Sequence, residues 1–555
     1  MIKNIITLYL SLFLSSLCLA QSPKVKRGKT TIEVANSNPK LVVGIVVDQM
    51  RYDYLTRFYN KFGKGGFKRM INEGFNCKNN HFNYIPTYTG PGHASVFTGA
   101  TPKYHGVIGN SWYDKTLKSS VNCVGDNSVA SVGTASSNGK KSPHRMLTTT
   151  FSDENRLFTQ MRGKAIGISF KDRGAILPVG HTDNAAYWFH GANEGHWISS
   201  SFYMNKLPKW VNEFNESDVV EKYFKVWNTL YNIDTYIESG DDLNTFEGGF
   251  SFKETATFPY DLSVLKDENN SFDAFKSTAY GNNITTDFAL AAIKGEALGE
   301  DNITDVLTIS YSSTDAVGHN FGVNSKEVED TYIRLDLDLE RLFKVLDKKV
   351  GKGEYTVFLT ADHGAIDVPA YLQSVNIPAG YLNNRDTKKR FEDFMSSTFG
   401  ASDLIENMSN SQIFLNRKKI KTLGLELDAV QKAIVNELIN YNHINKVYSA
   451  TTMSTVEFSN GIETLLQKGY NQKRSGDILI VSDPSYISYS RTGSTHGSGL
   501  NYDTHVPLLF FGKGIKKGQT LQKTEITDIA PTMSALLGIS FPNGSIGKPL
   551  EFVLD

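Results

Sequence analysis

The chain has 555 residues, of which 40% are hydrophobic and 21% are charged, as in an ordinary globular protein. Its 58 basic and 58 acidic residues cancel, so nothing indicates a nucleic-acid partner or a basic membrane-binding face. The length exceeds one ordinary domain, but large α/β enzymes often carry insertions on a single core.

The first twenty residues have the layout of a secretory signal peptide. A positive region at Lys3 precedes the apolar stretch Ile5–Leu19, and Ala20 is a small residue that suits cleavage. The stretch is too short for a transmembrane anchor. We therefore expect cleavage after Ala20 and a periplasmic or secreted protein, with a polar linker over residues 21–40.

Two cysteines remain after this cleavage, Cys77 and Cys123. Lipid attachment at Cys18 is disfavoured because Leu17 is bulky where such sites place a small residue. In an oxidising compartment we expect Cys77 and Cys123 to form a disulfide, with two buried free thiols as the alternative.

Apolar runs predict the main strands of the fold. They are Leu41–Val47, Ala165–Phe170, Asp305–Ser310, Tyr355–Leu359, Asp477–Val481 and Val506–Phe511. Between the third and fourth runs, apolar residues recur at helical spacing: Leu335, Leu339, Leu342, Phe343 and Leu346. Strand, helix and strand in this order predict an α/β fold with a mostly parallel central sheet flanked by helices.

Two long segments depart from this pattern. Tyr187–Asn283 is rich in aromatic residues and asparagine, which indicates a cap-like insertion. Residues 371–473 mix helical and strand signals and predict an inserted α+β subdomain, which leaves 41–370 and 474–555 as the core. Ligands of open α/β sheets bind beyond the carboxyl ends of the strands, so insertions at that end would form the walls of a ligand-binding site.

Carboxylates and histidines follow the predicted strands. They are Asp48, Asp315, His319, Asp362, His363 and His496. Asp315 and His319 are four apart and would share one helix face, while Gly364 allows a turn directly after the Asp362–His363 pair. Taken singly, each fits a solvated loop or a structural role, as we expect for His81, His93, His105, His144 and His505.

Histidine and carboxylate without cysteine form a ligand set for catalytic zinc, although iron or manganese would also accept it. Six ligands are too many for one tetrahedral ion and suit two Zn²⁺ per chain. Two ions roughly 3.5–4 Å apart can stabilise the attacking and leaving oxygens of a displacement at phosphorus.

Thr89 precedes Gly-Pro-Gly and a short apolar stretch that could be helical. A helix N-terminus favours negative charge, so Thr89 is a candidate nucleophile once a metal or base takes its proton. An ordinary capping threonine is the alternative.

Lys171 and Arg173 are two apart on a predicted strand and would point to one side, which suits a phosphate dianion. The alternative there is a solvated strand tip.

The ordered set Asp48, Thr89, Asp315-x-x-x-His319, Thr-Ala-Asp362-His363-Gly and Ser-Thr-His496-Gly resembles the alkaline phosphatase superfamily. The closest resemblance is to the phosphate-insensitive, exported two-zinc alkaline phosphatases of flavobacteria, which use a threonine nucleophile. It extends from about Leu41 to the C-terminus.

The resemblance implies a role for each matching residue. One zinc would be bound by Asp315, His319 and His496. The other would be bound by Asp48, Asp362 and His363, with Thr89 on it as the nucleophile. Asn110, Lys171 and Arg173 match residues that contact the phosphoryl group. The implied reaction is hydrolysis of small-molecule phosphate monoesters through a covalent phosphothreonine.

Differences from other members of the superfamily limit which reaction the chain is expected to catalyse. The chain has Thr-Gly-Pro-Gly where sulfatases have a Cys-x-Pro-x-Arg or Ser-x-Pro-x-Arg motif. It also lacks the arginine that lies beside the serine nucleophile in the enterobacterial alkaline phosphatase, which has a nearby magnesium site, so no magnesium site is assigned. Phosphodiesterase relatives share Thr89, Asn110 and the six ligands, so the monoester assignment depends on Lys171 and Arg173. A nucleotide pyrophosphatase or phosphodiesterase is the alternative, and a secreted binding protein without turnover stays open. The oligomeric state is undetermined, with a monomer as the working expectation.

Overall fold

A computed structural model describes residues 38–401 and 403–555 of the chain. The predicted signal peptide and nearly all of the predicted linker lie outside these residues. Fourteen of the described strands build two sheets, and in chain order they are β1 (Leu41–Val47), β2 (Phe75–Cys77), β3 (Ser131–Val132), β4 (Ala165–Ser169), β5 (Ala185–His190), β6 (His196–Ser200), β7 (Asp305–Tyr311), β8 (Tyr355–Thr360), β9 (Ile405–Ser409), β10 (Gln412–Leu415), β11 (Ile444–Ser449), β12 (Ile478–Ser482), β13 (Leu508–Gly512) and β14 (Gly518–Thr520).

The described α-helices of eight residues or more are α1 (Thr89–Thr98), α2 (Phe151–Phe158), α3 (Asp172–Val179), α4 (Tyr280–Gly295), α5 (Ser313–Phe321), α6 (Lys326–Leu346), α7 (Asn384–Phe399), α8 (Leu427–Leu438), α9 (Gly461–Gly469) and α10 (Ile529–Leu537). The predicted amphipathic helix corresponds to α6, and its five apolar positions are all buried. Ser325 caps α6 by accepting a hydrogen bond from the Val328 N–H at 3.1 Å.

The large sheet has ten strands in the order β14-β2-β13-β8-β1-β7-β4-β5-β6-β3. Its five central strands, β8 to β5 in this order, are parallel to one another, and β13 and β6 pair antiparallel with the two outer members of this set. Every residue of β1, β7 and β8 is buried, as expected for parallel strands covered on both faces. The predicted α/β class with a mostly parallel central sheet is confirmed.

The strand predicted at Asp477–Val481 does not join this sheet. It forms β12, which pairs antiparallel with β10 and β11 in a four-stranded sheet of order β9-β10-β12-β11. An apolar run has the same local sequence pattern in either sheet, so the pairing partner was not encoded in the run itself. The smaller sheet has its own apolar cluster with α7 and α8, around Phe391, Ile413 and Ile434.

The predicted N-terminal boundary of the cap-like insertion, Tyr187, lies within a strand of the large sheet. β5 and β6 belong to the large sheet, so residues 187–200 are part of the core. We propose that the cap comprises the short elements between Ser200 and α4, and that the inserted subdomain extends from about 371 through β12.

The predicted disulfide is wrong, because Cys77 and Cys123 are both free, buried thiols. Cys77 lies on β2, whereas Cys123 packs against the start of α1, where its Sγ is 3.2 Å from the position a Cβ would take on Gly90. Burial raises the pKa of each thiol to about 12, which keeps both in the unreactive protonated form. None of the helices in the described ranges is long and apolar enough to cross a membrane.

Candidate active site

The carboxyl ends of three neighbouring strands bring the predicted ligand residues together. β1 lies between β7 and β8, so Asp48 at the end of β1 adjoins the residues that follow both neighbours. Asp362 and His363 follow β8, and α5 follows β7 with Asp315 and His319 on one face. His496 comes from the loop before β13.

Asp48, Asp362 and His363 form what we call the inner ligand group. All three side chains are completely buried, and His363 Nε2 lies 3.5 Å from both Asp48 Oδ1 and Asp362 Oδ2. These three atoms have no hydrogen-bond partner. Burial and the adjacent Asp362 carboxylate raise the pKa of Asp48. Such polar atoms are costly to bury unpaired, and a bound cation would satisfy all three at once.

Asp315, His319 and His496 form the outer ligand group. Nε2 of His319 and of His496 lie 3.2 and 3.6 Å from Asp315 Oδ1. The His496 ring stacks on the His363 ring with centroids 3.4 Å apart, so the two groups adjoin. Ligand-type atoms of Asp315, His363 and His496 lie within 4.8 Å of one another, as do those of the inner group.

Hydrogen bonds fix which nitrogen of each ring faces the carboxylates. Nδ1 contacts a backbone carbonyl oxygen in all three rings: Ser494 for His319 at 2.7 Å, Gly364 for His363 at 3.0 Å, and Thr87 for His496 at 2.8 Å. A carbonyl oxygen only accepts, so Nδ1 carries the proton in the neutral ring and the Nε2 lone pair points into the site. This arrangement is typical of histidines that bind a metal ion.

Thr89 is the first residue of α1 and is buried beside the inner group. A Cβ on Gly92 would lie 2.4 Å from the Asp362 carbonyl oxygen, so glycine is required for the helix to approach this closely. Asn110 Oδ1 accepts a hydrogen bond from the Gly90 N–H at 2.7 Å. This bond to the residue after Thr89 orients the amide of Asn110, whose NH₂ group can act only as a donor.

Lys171 and Arg173 lie at a helix start and not on a strand, which corrects the predicted geometry. β4 ends at Ser169, Lys171 is the N-cap residue of α3, and Arg173 is in the first turn. Lys171 Nζ lies 2.7 Å from Asp48 Oδ2, 2.5 Å from Asp315 Oδ2 and 3.4 Å from Thr89 Oγ1. The ammonium group therefore lies between the two ligand groups and beside the threonine hydroxyl.

The Arg173 guanidinium is only weakly paired, with Nη1 3.7 Å from Asp172 Oδ1 and a buried Nε that has no partner. Its side chain and that of Lys171 line one cavity of about 400 Å³, together with Lys141 and Trp188. The structure thus places Lys171 beside Thr89 and both cations on one cavity, by a helix turn and not by strand alternation.

Gln49 is a site residue that the sequence analysis missed. Its side-chain Nε2 donates to Asp315 Oδ1 at 2.7 Å, and its backbone N–H donates to Asp362 Oδ1 at 3.2 Å. The residue is buried and has a φ of +62°, which is uncommon for a residue with a side chain. Its position directly after Asp48 at a strand end was the one available signal.

His93, assigned a structural role from the sequence, contacts the backbone of Thr89. Its Nδ1 lies 2.9 Å from the Thr89 carbonyl oxygen and its Nε2 lies 2.8 Å from Ser310 Oγ. Burial, together with the charges of Lys171 and Arg173, lowers the pKa of His93 to about 3, so the ring is neutral. These contacts hold the first turn of α1 against β7.

Comparisons with known proteins agree with this geometry. The family model for type I phosphodiesterase / nucleotide pyrophosphatase matches residues 42–506. Among curated relatives, alkaline phosphatase PafA of Elizabethkingia meningoseptica is 46% identical over 93% of this chain and 94% of its own length. A Myroides odoratus protein named calcium-transporting ATPase is 43% identical, over 93% of this chain and 95% of its own. Alkaline phosphatase PhoV of Synechococcus elongatus is 43% identical over 99% of both chains.

A crystal structure of wild-type alkaline phosphatase PafA superposes on the chain with a TM-score of 0.89. The alignment has 46% sequence identity and covers 93% of this chain and 99% of that one. The two proteins are thus similar in sequence and in fold over nearly the whole length of both chains. The chain belongs to the type I phosphodiesterase / nucleotide pyrophosphatase family, within the alkaline phosphatase superfamily.

Proposed function

We propose that the protein is an exported alkaline phosphatase that hydrolyses phosphate monoesters through a phosphothreonine at Thr89. The observation that carries this proposal is the position of Lys171, whose ammonium lies 3.4 Å from Thr89 Oγ1 and between the two ligand groups. A cation at this point suits the two negative charges of a monoester. The names of the relatives at 43–46% identity, PafA and PhoV, support the same activity.

The inner and outer ligand groups would each hold one Zn²⁺. Support comes from the three unpartnered inner atoms, Asp48 Oδ1, Asp362 Oδ2 and His363 Nε2, and from the Nε2 lone pairs that face the site. Nitrogen and carboxylate donors without sulfur suit catalytic zinc. When bound, such ions would supply the positive charge that favours the threonine alkoxide and the departing oxygen.

The chain's own residues then account for binding and transfer. Thr89 Oγ1 loses its proton and attacks phosphorus, and the Oγ1–P bond forms as the bond from phosphorus to the ester oxygen breaks. The ester oxygen takes up a proton and leaves as the alcohol. Water subsequently cleaves the phosphothreonine and releases phosphate. The Asn110 amide would donate to one phosphoryl oxygen, and Lys171 and Arg173 would neutralise the others. Burial of Thr89 excludes bulk water, which strengthens these charged contacts.

Location and partners follow from the sequence. We infer that the signal peptide directs the protein to the periplasm or medium. Zero net charge gives no reason to invoke a nucleic-acid scaffold, and the proposed partner is a small-molecule phosphate ester. A monomer remains the working expectation.

The alternative, a nucleotide pyrophosphatase or phosphodiesterase, is favoured by the description of the family model. A diester has one negative charge, so the Lys171–Arg173 pair would have less to bind. The deciding experiment compares 4-nitrophenyl phosphate with bis(4-nitrophenyl) phosphate under identical conditions. We expect the larger kcat/KM for the monoester. A larger value for the diester would support the alternative, and turnover of neither would indicate a binding protein.

A further inference from the structure

A buried aspartate, Asp503, holds the loop that carries the outer ligand His496. It lies in the helical turn Asn501–Thr504 and is 1% exposed. Its Oδ2 accepts hydrogen bonds from the Gly497 N–H at 3.1 Å and the Ser498 N–H at 2.6 Å. Hydrogen bonds to a carboxylate are stronger than those between neutral groups, so Asp503 fixes the two residues that directly follow His496.

The backbone of the same residue contacts the inner ligand group. The Asp503 carbonyl oxygen accepts a hydrogen bond from the Gly364 N–H at 2.8 Å, and Gly364 directly follows His363. A Cβ on Gly364 would lie 2.2 Å from the Tyr502 carbonyl oxygen, so glycine is required for this close approach. One residue thus binds the chain directly after each of the two histidines whose rings stack with centroids 3.4 Å apart.

Thr87 contacts the loop of His496 from the segment before α1. Its carbonyl oxygen lies 2.8 Å from His496 Nδ1, and its Oγ1 donates to the Ser498 carbonyl oxygen at 2.9 Å. Gly497, between these two loop residues, has a φ of +127°, and glycine has little conformational preference of its own. The backbone after His496 is therefore held by Thr87 and Asp503 and not by local preference.

We propose that Asp503 is a positioning residue for both metal sites, because it fixes the backbone that follows His363 and His496 and so places the two ring nitrogens. The inference rests on the proposed function, since it presupposes that the two ligand groups bind Zn²⁺. The two contacts differ in kind: the side chain of Asp503 supports the outer ligand, and its backbone supports the inner one. A substitution of this side chain should therefore weaken zinc binding by the outer group more than by the inner group.

The test measures zinc binding by the full-length protein in competition with a chelator of known affinity. Wild type should bind one ion at each ligand group, and the dissociation constant that is lost in His319→Ala belongs to the outer group. Asp503→Ala should weaken outer zinc binding by about 10- to 100-fold, the range for loss of a contact that supports a metal ligand, with a much smaller effect on inner binding. Asp503→Asn keeps an oxygen that can accept both N–H groups and should restore outer binding to within about fivefold of wild type.

Asp336→Ala is the matched control, because Asp336 on α6 is also 1% exposed and also binds backbone N–H groups. Its carboxylate accepts hydrogen bonds from the N–H groups of Gly63 and Phe67, each at 2.7 Å. This variant should leave both zinc affinities unchanged. It shows what a weaker fold alone does to zinc binding.

Thr87→Val removes the hydroxyl that binds Ser498 and should weaken outer zinc binding by about 3- to 10-fold. Unchanged outer binding in Asp503→Ala, or in Thr87→Val where Asp503→Ala does not fold, would overturn the inference. Equal weakening of both sites, or outer binding that Asp503→Asn fails to restore, would overturn it as well. These outcomes leave the proposed function standing, whereas a wild type that binds no zinc would refute both.

Discussion

The inner and outer ligand groups contain the same residue types but differ in exposure. The inner side chains are completely buried, and three of their ligand-type atoms have no partner. In the outer group the His319 side chain is 24% exposed, and both oxygens of Asp315 have hydrogen-bond donors, Gln49 on Oδ1 and Lys171 on Oδ2. The inner group is thus an enclosed set of unpaired ligand-type atoms beside Thr89, while the outer group opens toward solvent.

This difference matches two chemical tasks. In the proposed reaction the hydroxyl of Thr89 loses its proton and attacks phosphorus without competition from water, which favours burial. The leaving alcohol has to depart into solvent, which favours an open side. This division of tasks predicts that substitutions at the inner ligand group and Thr89 affect the transfer step most. Substitutions farther from the inner ligand group should have smaller effects that depend on the substrate.

The largest effect is expected for Thr89→Ala, which removes the hydroxyl at the inner group. Monoester turnover should fall by more than about 10³-fold, because the covalent route closes. Thr89→Ser keeps a hydroxyl and should remain within roughly tenfold of wild type. Mass spectrometry of an acid-quenched wild-type reaction should find phosphate on Thr89. Phosphate on Thr87, or on no residue, would contradict this assignment.

The zinc content of the protein tests the inner and outer ligand groups one at a time. Elemental analysis of wild type should give about two zinc ions per chain, and Asp48→Asn and His319→Ala should each reduce this to about one. Turnover should fall at least about 100-fold in either variant. Loss of a metal ligand should cost more than loss of a residue that only hydrogen-bonds to a ligand. Chelation should abolish activity and zinc should restore it. One zinc ion in active wild-type enzyme would rule out the two-metal site.

Arg173→Ala tests selection of the dianion next to the inner group. A charge-assisted hydrogen bond contributes about 1.5–3 kcal/mol, so monoester kcat/KM should fall about 10- to 100-fold. The loss on a matched diester should be smaller, because it has one negative charge and fewer free oxygens. Adding Lys171→Ala should shift the preference further, although the two effects need not add. Equal losses on both substrates would show that the cations serve only to hold the site together.

The smallest effect is expected for Gln49→Met, which removes the side-chain donor to Asp315 and approximately keeps the volume. Loss of one hydrogen bond should weaken zinc binding by the outer group about 3- to 10-fold, as measured by competition with a chelator. The backbone bond from Gln49 to Asp362 remains, so inner zinc affinity should change little. Equal weakening of both sites would mean that Gln49 acts on the fold and not on Asp315.

Several features of the fold could be predicted because they are local. The β-branched run of β1 indicated a buried strand, and leucines at helical spacing indicated α6. The rule that sites lie beyond the carboxyl ends of parallel strands selected Asp48, Asp315 and Asp362, which the structure places together. Helical periodicity also indicated that Asp315 and His319 share a face, as they do on α5.

Other features depend on contacts between distant parts of the chain. The strand at Ile478–Ser482 pairs in the smaller sheet, and no local pattern selects a partner for an apolar run. Cys77 and Cys123 remain apart because each packs in a different region, which spacing along the chain does not reveal. Lys171 lies between Asp48 and Asp315 because a helix begins beside β7, not because strand neighbours alternate.

The sequence by itself therefore determined the fold class and the chemical types of the site residues, since both follow from periodicity and from residues at strand ends. Only the tertiary structure decided how the site is divided. Gln49 joins the two ligand groups through contacts 266 and 313 residues away along the chain. Burial, the orientation of the histidine rings and access to solvent likewise arise from packing of distant segments, which no local pattern encodes.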